Sequence, residues 1–287
     1  MKLGSFFAQK ECVFALEVFP PKRENDVKNL YVSLKEMAFL QPDYISVTYS
    51  AGGKGGKEHT ANIAAYLKNE LDIEPLAHLT CTGLGQGDIK DMTGMLRYSG
   101  VENILALRGD KAPGQEAELD FTYASDLMRS ILQNGDFYIV GACYPEGHPE
   151  SDNMMADIEG LRQKIRAGSG HLISQLFFDN GKFFRFLNLV RKKGIVCPIE
   201  AGIMPVTKIE QIEKMITLSS ASIPVEFSKI VSRYADDPAS FYEAGIDYSI
   251  RQIRDLMESG VDGIHLYAMN NAKVARKVWD GIADLLQ

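Results

Sequence analysis

One carboxylate stands alone in an apolar stretch near the beginning of the chain. Residues 14–21 read FALEVFPP, so Glu17 has apolar neighbours on both sides. Pro20 and Pro21 lack the N–H that a strand ladder needs, which predicts that a buried strand ends shortly after Glu17. A buried carboxylate must be paired or protonated, and burial raises carboxyl pKa values, as a general acid requires. On these residues alone, a general acid and a structural ion pair with Lys or Arg are equally good interpretations.

The other apolar runs of the chain also end in polar residues. Residues 107–110 read LRGD, which places a cation, a flexible glycine and a carboxylate at one predicted strand end. They could form a local ion pair in a turn, or they could aim the carboxylate at a bound ring. The polar residues at predicted strand ends are Glu17, Thr48, Tyr49, His78, Arg108, Gly109, Asp110, Tyr144, His148, Gln175, Gly202 and Tyr267.

Three further polar features each have two interpretations. His148 has no second His or Cys at ligand spacing, so we expect no metal site there, and a hydrogen bond to a cofactor or a capping role fits better. Gln175 lies in an apolar run, and its amide needs either core neighbours or a ligand as partner. Arg162, Lys164 and Arg166 form a basic cluster that is either a solvated helix face or a pyrophosphate contact.

A glycine-rich segment, SAGGKGGK at residues 50–57, looks at first like a phosphate loop. It does not match the Walker pattern, because Ala51 replaces the first glycine and Glu58 replaces the Ser or Thr. We therefore predict a loop over the ligand site rather than a nucleotide-phosphate cradle.

The elements that must position these residues alternate between short apolar runs and segments with helical periodicity. Eight such strands, each followed by helix and mostly apolar throughout, predict an α/β fold of the closed (β/α)8 TIM-barrel type. A doubly wound open sheet is the alternative, but the first strand lacks a following G-x-G-x-x-G turn. In a barrel the C-terminal strand ends meet at one face, where active sites lie. Strands are predicted in the run that ends at Pro20 and at residues 44–49, 76–81, 103–108, 137–144, 172–178, 196–204 and 263–267, with a long helical stretch over residues 209–259.

Composition narrows the class of protein. The net charge of −7 argues against a protein that binds nucleic acids or anionic membranes in general. A chain with this net charge can still contain a local basic pocket for an anionic small ligand. The four scattered cysteines contain no C-x-x-C pair and suit reduced thiols in the cytoplasm. No apolar run approaches the roughly 18 residues of a membrane span. With no linker dividing it, we expect residues 1–287 to form a single cytoplasmic catalytic domain.

Eight segments in chain order connect these features to a known family. They are residues 14–21, ISVTY at 45–49 with its glycine loop, HLT at 78–80, LRGD at 107–110, YPEGHPE at 144–150, SQLFFD at 174–179, GIMP at 202–205 and GVDGIHLY at 260–267. Together the segments resemble the methylenetetrahydrofolate reductase family, flavin-containing (β/α)8 barrels of one-carbon metabolism. The resemblance covers essentially the whole chain.

The resemblance implies a mechanism and a set of site residues. NADH or NADPH reduces bound FAD and leaves, and methylenetetrahydrofolate then receives the hydride to become methyltetrahydrofolate. Glu17 matches the general acid that opens the bridging ring, and Asp110 matches a catalytic carboxylate that touches flavin and folate. Gln175 and Tyr267 fall on the substrate side. The FAD site implied by the resemblance comprises Thr48, Tyr49, His78, Arg108, Gly109, Asp110, Tyr144, His148, Asp157 and Lys164.

Two positions on the substrate side depart from the family pattern. Met215 stands where family members have a phenylalanine that stacks on the substrate, and a thioether is a softer platform. Asn271 stands where many members have an arginine, so a charge facing a folate carboxylate is absent there.

Two other functions stay open. One is an FAD-binding electron-transfer subunit of a larger complex, and the other is a flavin-free folate-binding methyltransferase barrel. We expect a homo-oligomer that binds small molecules but neither nucleic acid nor membrane. A protein electron donor remains an alternative to NADH and NADPH.

Overall fold

Eight parallel strands form a closed barrel in the computed structural model, which describes residues 1–21, 23, 26–49, 56–109, 120–219 and 221–286. The strands follow one another around the barrel in chain order, and pairing of the first strand with the second and the eighth closes it. This confirms the predicted TIM barrel. The strands are β1 (Val13–Val18), β2 (Tyr44–Val47), β3 (Glu74–Thr80), β4 (Asn103–Leu107), β5 (Tyr138–Cys143), β6 (Ser169–Ser174), β7 (Ile199–Ile203) and β8 (Gly263–Tyr267).

Helices connect the strands. Several of them begin at a residue whose side chain accepts hydrogen bonds from backbone N–H groups of the first helical turn. Asn153 accepts hydrogen bonds from the first turn of α6, and Asp237 does so at α10, where Pro238 follows as the first helical residue. None of the described helices combines the length and apolarity needed to cross a membrane. The described helices are α1 (Gly4–Gln9), α2 (Val27–Ala38), α3 (Gly56–Glu70), α4 (Gln86–Tyr98), α5 (Ala124–Asn134), α6 (Met154–Arg166), α7 (Asn180–Lys192), α8 (Glu210–Ser219), α9 (Val225–Arg233), α10 (Pro238–Glu258) and α11 (Ala272–Asp280).

Two of the predicted elements differ in extent from the sequence-based expectation. Residues 209–259 form three helices rather than one long stretch, because Pro224 and Pro238 cannot continue a preceding helix and instead begin α9 and α10. Strand β6 spans Ser169–Ser174 rather than residues 172–178. Gln175 therefore follows the strand, although its backbone N–H still donates to the Cys143 carbonyl at 2.7 Å.

The alternation of side chains along β1 shows which face points into the barrel. Phe14, Leu16 and Val18 pack in the apolar layer shared with the helices. Val13 and Ala15 belong to a second, inner cluster. Because side chains alternate along a strand, Glu17 continues the inner face.

The short helix α1, which the sequence-based interpretation did not include, packs against the inner cluster. Leu3 is fully buried in that cluster, and Phe6 and Phe7 pack against it. The inner cluster thereby contains residues from a segment ahead of the first strand as well as from the barrel strands.

Candidate functional site

Glu17 lies at the carboxyl end of the barrel, one residue before the end of β1. It is level with Ser46 of β2 and Tyr267 of β8 in the strand register, and 17% of its side chain is exposed. Its Oε2 atom lies 3.4 Å from His265 Nε2 and 3.6 Å from His78 Nε2. Within the described part of the chain, no lysine or arginine forms an ion pair with Glu17. The neighbours of the carboxyl group are thus two imidazoles, not the basic side chain of a structural ion pair.

His78 is a neutral neighbour of Glu17. Burial lowers the pKa of His78 to about 4, the Glu17 carboxylate opposes that shift, and His265 adds to it. The His78 Nε2 atom is buried and has no hydrogen-bond partner among the described residues. A buried polar atom without a partner beside an acid is a place where a ligand can supply the missing hydrogen bond.

Sequence reasoning did not single out the polar side chains that lie behind Glu17 in the barrel. The Tyr44 hydroxyl lies 2.7 Å from Glu200 Oε1 and 3.2 Å from His265 Nδ1. His171 Nε2 lies 2.9 Å from Glu200 Oε1 on the other side. A signal was present, because His265 is two residues before Tyr267 and a period of two places both on one face of β8.

The Arg108–Gly109 pair follows β4 at the same end of the barrel. Arg108 makes two hydrogen bonds to the Glu150 carboxylate, at 2.5 and 2.6 Å. Gly109 has φ +87°, and a Cβ there would lie 3.0 Å from the Thr80 Cβ, so both backbone and space favour glycine. Asp110 and the glycine-rich residues 50–55 lie outside the described residues, so their roles stay predictions.

Four cofactor-site candidates meet above β5. The Tyr144 and His148 rings are 4.6 Å apart in an edge-on arrangement. Asp157 Oδ2 accepts a hydrogen bond from the His148 backbone N–H at 3.1 Å. The Lys164 ammonium donates to the Ala142 carbonyl at 2.7 Å. Burial lowers the pKa of Lys164, and likewise that of His148.

The basic cluster on α6 divides into an inward and an outward part. Arg162 and Arg166 both reach Glu159 on the exposed side of the helix, at 3.1 and 3.8 Å. Lys164 instead contacts the end of β5, and none of the described carboxylates forms an ion pair with it. Only Lys164 therefore remains as a candidate anion contact within this cluster.

Thr48 and Tyr49 extend β2 beyond its last paired residue. The Thr48 N–H donates to the Val18 carbonyl, and the Thr48 carbonyl accepts from Thr60 Oγ1, both at 2.9 Å. Tyr49 is half-buried against the outer core, and burial, followed by Asp88, raises its pKa. These contacts hold the segment next to Glu17 at the barrel mouth.

Tyr267 on β8 and Gln175 after β6 lie on the other side of Glu17 from that segment. The Tyr267 hydroxyl donates to the Ser174 carbonyl at 2.8 Å, and a Cβ on Gly202 would lie 2.8 Å from that hydroxyl oxygen. Gly202 therefore leaves room for the tyrosine. Gln175 Oε1 accepts from the Leu176 N–H at 2.9 Å. Its amide nitrogen is the end that a ligand could engage.

The two departures from the family pattern occupy structural positions. Met215 is 5% exposed and lies in a buried cluster with Phe178 and Phe227. Asn271 is the N-cap of α11, where its side-chain oxygen accepts from the Val274 N–H at 3.2 Å. Direct contact of either residue with a substrate stays a prediction.

Comparison with known sequences supports the resemblance seen in the motifs. A family model described as "Methylenetetrahydrofolate reductase" matches residues 2–283. "Methylenetetrahydrofolate reductase (NADH) 1" of Arabidopsis thaliana is 32% identical over 289 residues, covering 96% of this chain and 49% of the plant protein. "5,10-methylenetetrahydrofolate reductase" of Escherichia coli (strain K12) is 31% identical over 262 residues, covering 91% and 87%. The chain thus spans about half the length of the plant relatives it matches.

Solved structures support the barrel fold. An uncharacterized protein from Clostridium thermocellum that binds two copies of 5-methyl-5,6,7,8-tetrahydrofolic acid has a TM-score of 0.64 at 15% identity, over 99% of both chains. Tryptophan synthase from M. tuberculosis has a TM-score of 0.59 at 10% identity, over 99% of this chain and 98% of that one. At such identities the likeness shows the fold alone.

Proposed function

This chain belongs to the methylenetetrahydrofolate reductase family, and from that premise we propose that it uses FAD to pass hydride from NADH or NADPH to 5,10-methylenetetrahydrofolate. The product is 5-methyltetrahydrofolate. The coarse function, a folate-linked oxidoreductase of one-carbon metabolism, follows the family. The reaction itself and the residues that perform it are the proposal.

The observation that carries this proposal is the setting of Glu17. Its carboxyl group is mostly enclosed yet partly exposed at the barrel mouth, with His265 and His78 as nearest polar partners. A carboxyl group at this place, beside two imidazoles and open to a ligand, can deliver a proton to a nitrogen of the bridging folate ring. The ring then opens to an iminium carbon that accepts hydride, and the Glu17 carboxylate is left behind.

Several features of the barrel mouth are compatible with FAD. Lys164 is a partly buried cation without a carboxylate partner among the described residues, which suits a pyrophosphate. Gly109 offers backbone that a flat ring can approach, and His78 Nε2 has an open hydrogen-bonding position. When bound, FAD supplies a group that takes up and releases hydride. The residues that would hold it are Thr48, Tyr49, His78, Arg108, Gly109, Asp110, Tyr144, His148, Asp157 and Lys164.

The names of the plant relatives specify NADH, so NADH is the first electron donor to test. Gln175 and Tyr267 are proposed to contact the folate, which would occupy the same face as the nicotinamide. Met215 and Asn271 are kept as substrate-side candidates.

Anaerobic flavin spectroscopy tests the proposal directly. The purified protein should be yellow, should bleach on addition of NADH or NADPH, and should regain its absorbance on addition of methylenetetrahydrofolate. A colourless protein that does not bind added FAD would contradict the flavin assignment and favour the methyltransferase alternative. A flavin that only a protein donor reduces would favour the electron-transfer alternative.

Replacing Glu17 by glutamine separates the two half-reactions. Glu17→Gln should bleach with nucleotide at the wild-type rate, because hydride uptake needs no acid at this position. Reoxidation by methylenetetrahydrofolate should slow by at least roughly 100-fold, as expected when a general acid is lost. Glu11→Gln, which alters an exposed carboxylate ahead of β1, is the matched control. Wild-type reoxidation in Glu17→Gln would remove the residue from the acid role.

A further inference from the structure

The barrel interior beneath Glu17 contains a connected polar network where a TIM barrel ordinarily packs bulky apolar side chains. Tyr44, His171, Glu200 and His265 are all fully buried. A buried carboxyl group such as that of Glu200 costs stability unless other groups compensate it. The proposed reaction does not use these four side chains, so their arrangement needs its own explanation.

The hydrogen bonds that join His265, Tyr44 and Glu200 have a definite direction, in which His265 donates to Tyr44 and Tyr44 donates to Glu200. Tyr44 has a single hydroxyl proton, which it donates to Glu200 Oε1 at 2.7 Å. Its oxygen, 3.2 Å from His265 Nδ1, is then left to accept, so His265 must carry a proton on Nδ1. Burial, followed by Glu200, raises the pKa of Tyr44 well above its usual value, which keeps that hydroxyl protonated.

On the far side of Glu200, His171 is close but does not set a hydrogen-bond direction. Tyr138 Oη lies 3.2 Å from His171 Nδ1, and His171 Nε2 lies 2.9 Å from Glu200 Oε1. Despite that 2.9 Å separation, His171 Nε2 makes no hydrogen bond among the described residues. The hydrogen bond from Tyr44 is therefore the contact that makes Glu200 Oε1 an acceptor.

The opposite ring nitrogen of His265 faces the proposed acid. With a proton on Nδ1 and none on Nε2, His265 has one lone pair on Nε2, which lies 3.1 Å from Ser46 Oγ and 3.4 Å from Glu17 Oε2. A protonated Glu17 can donate to that lone pair, whereas the other tautomer would place an N–H there and could not accept.

We propose that Tyr44 and Glu200 hold His265 with its proton on Nδ1. His265 is then a positioning residue, because its Nε2 atom accepts a hydrogen bond from the protonated Glu17 and so shares one proton with it. The inference rests on the proposed function, because it concerns the proton that Glu17 delivers. In that step the O–H bond of Glu17 breaks and an N–H bond forms on the folate. The Glu17 carboxylate regains a proton from solvent at its exposed edge after product leaves, so no oxidant or reductant is involved.

Among the described residues, the other groups that face His265 from neighbouring strands carry no competing charge. His78 of β3 is neutral because burial lowers its pKa to about 4. The Tyr267 ring of β8 is 5.5 Å away, its hydroxyl donates to a carbonyl, and Ser46 of β2 is uncharged. Apart from Glu17 of β1, Glu200 of β7 is the carboxyl group that faces His265 within the described part of the chain, and His171 of β6 lies behind Glu200.

Glu200→Gln and Tyr44→Phe test the inference in the flavin-loaded protein. Both should bleach with nucleotide like wild type, while reoxidation by methylenetetrahydrofolate at pH 7 falls roughly tenfold. Tyr138→Phe is the matched control, since it removes a partly buried hydroxyl that contacts His171 and not His265, and it should keep the wild-type rate of reoxidation.

Wild-type reoxidation in Glu200→Gln would overturn the inference, as would an equal loss of reoxidation in Tyr138→Phe. Failure of the wild type to reoxidise with folate would instead reject the proposed function, and with it this role of the pair. Nitrogen-15 NMR of labelled histidines in the wild type needs neither folate nor a folded variant of Glu200. The His265 signals, assigned against His265→Asn, should show a protonated Nδ1, and a proton on Nε2 alone would overturn the inference.

Discussion

The chemistry of Glu17 depends on side chains that are distant in sequence. His265 lies at the other end of the chain and His78 on a different strand, yet both imidazoles face the same carboxylate oxygen. The two histidines differ in their surroundings. His265 has hydrogen-bond partners at both ring nitrogens, whereas His78 Nε2 has none among the described residues. His265 is thus fixed by its hydrogen bonds, whereas His78 keeps a ring nitrogen with which a ligand could form a hydrogen bond.

His78 should make the free energy of unfolding depend on pH in the acid range. Its pKa is about 4 in the folded protein against 6.5 when unperturbed, so between these values the unfolded chain binds the proton first. The stabilisation is complete above about pH 6.5 and is lost as pH falls toward 4, by up to roughly 3 kcal/mol in the free energy of unfolding. Urea unfolding across this range measures it.

The variant His78→Asn should flatten that part of the pH dependence relative to wild type. His59→Asn is the matched control, because His59 is exposed on α3 and should leave the slope unchanged. An equal slope in wild type and His78→Asn would contradict a buried, neutral His78.

At the scale of elements, the position of Asn271 at the beginning of α11 gives this residue a structural role. An asparagine at an N-cap satisfies an N–H of the first helical turn, and Asn271 does this for α11. The residue therefore has a local reason to be present that does not require a ligand. The helix that it begins packs against both α2 and α10, so its end is tied to the barrel wall.

Asn271→Ala should lower the free energy of unfolding by about 1 kcal/mol, the usual cost of losing an N-cap. Asn271→Asp keeps an oxygen acceptor at the cap and should remain close to wild type. Chemical unfolding of the three proteins gives the comparison, and an equal KM for methylenetetrahydrofolate in all of them would show that Asn271 acts as a cap alone. A raised KM in Asn271→Ala without loss of stability would instead assign the residue to the substrate.

At the scale of the whole molecule, closure of the barrel gathers polar ends of separate strands at one mouth. β1 pairs with both β2 and β8, so the first and last strands of the chain are neighbours. From β1 around to β6, the candidate ligand contacts occupy consecutive strand ends, with Glu17 at one end of this series and Gln175 at the other. A long, flat cofactor can therefore lie across the mouth and still reach the acid.

Lys164 tests whether this face holds FAD. Lys164→Gln should weaken FAD binding by roughly tenfold, because a charge-assisted contact to a pyrophosphate would be lost. Flavin released on dilution, measured by fluorescence, reports this without any turnover. Arg162→Gln is the control on the same helix, since Arg162 pairs with Glu159 on the exposed side. Equal flavin retention in both variants would remove Lys164 from the proposed site.

Much of the fold could be predicted because its signals are local. Apolar runs of strand length, helical periodicity between them and prolines at their ends predict eight β/α units, and the structure has them. The errors concern boundaries and α1. The end of β6 depends on pairing with β7, and α1 is too short for its periodicity to distinguish it.

By itself, the sequence determined the strand-and-helix order, the family and the residues that could stand at strand ends. Only the tertiary structure decided which of them meet and what lies behind them. It separated Lys164 from its two basic neighbours, placed Asn271 at a helix cap, and set His265, Tyr44 and Glu200 behind Glu17. The physical reason is that proton positions and ion pairs depend on distances of a few ångströms between strands that only the closed barrel brings together.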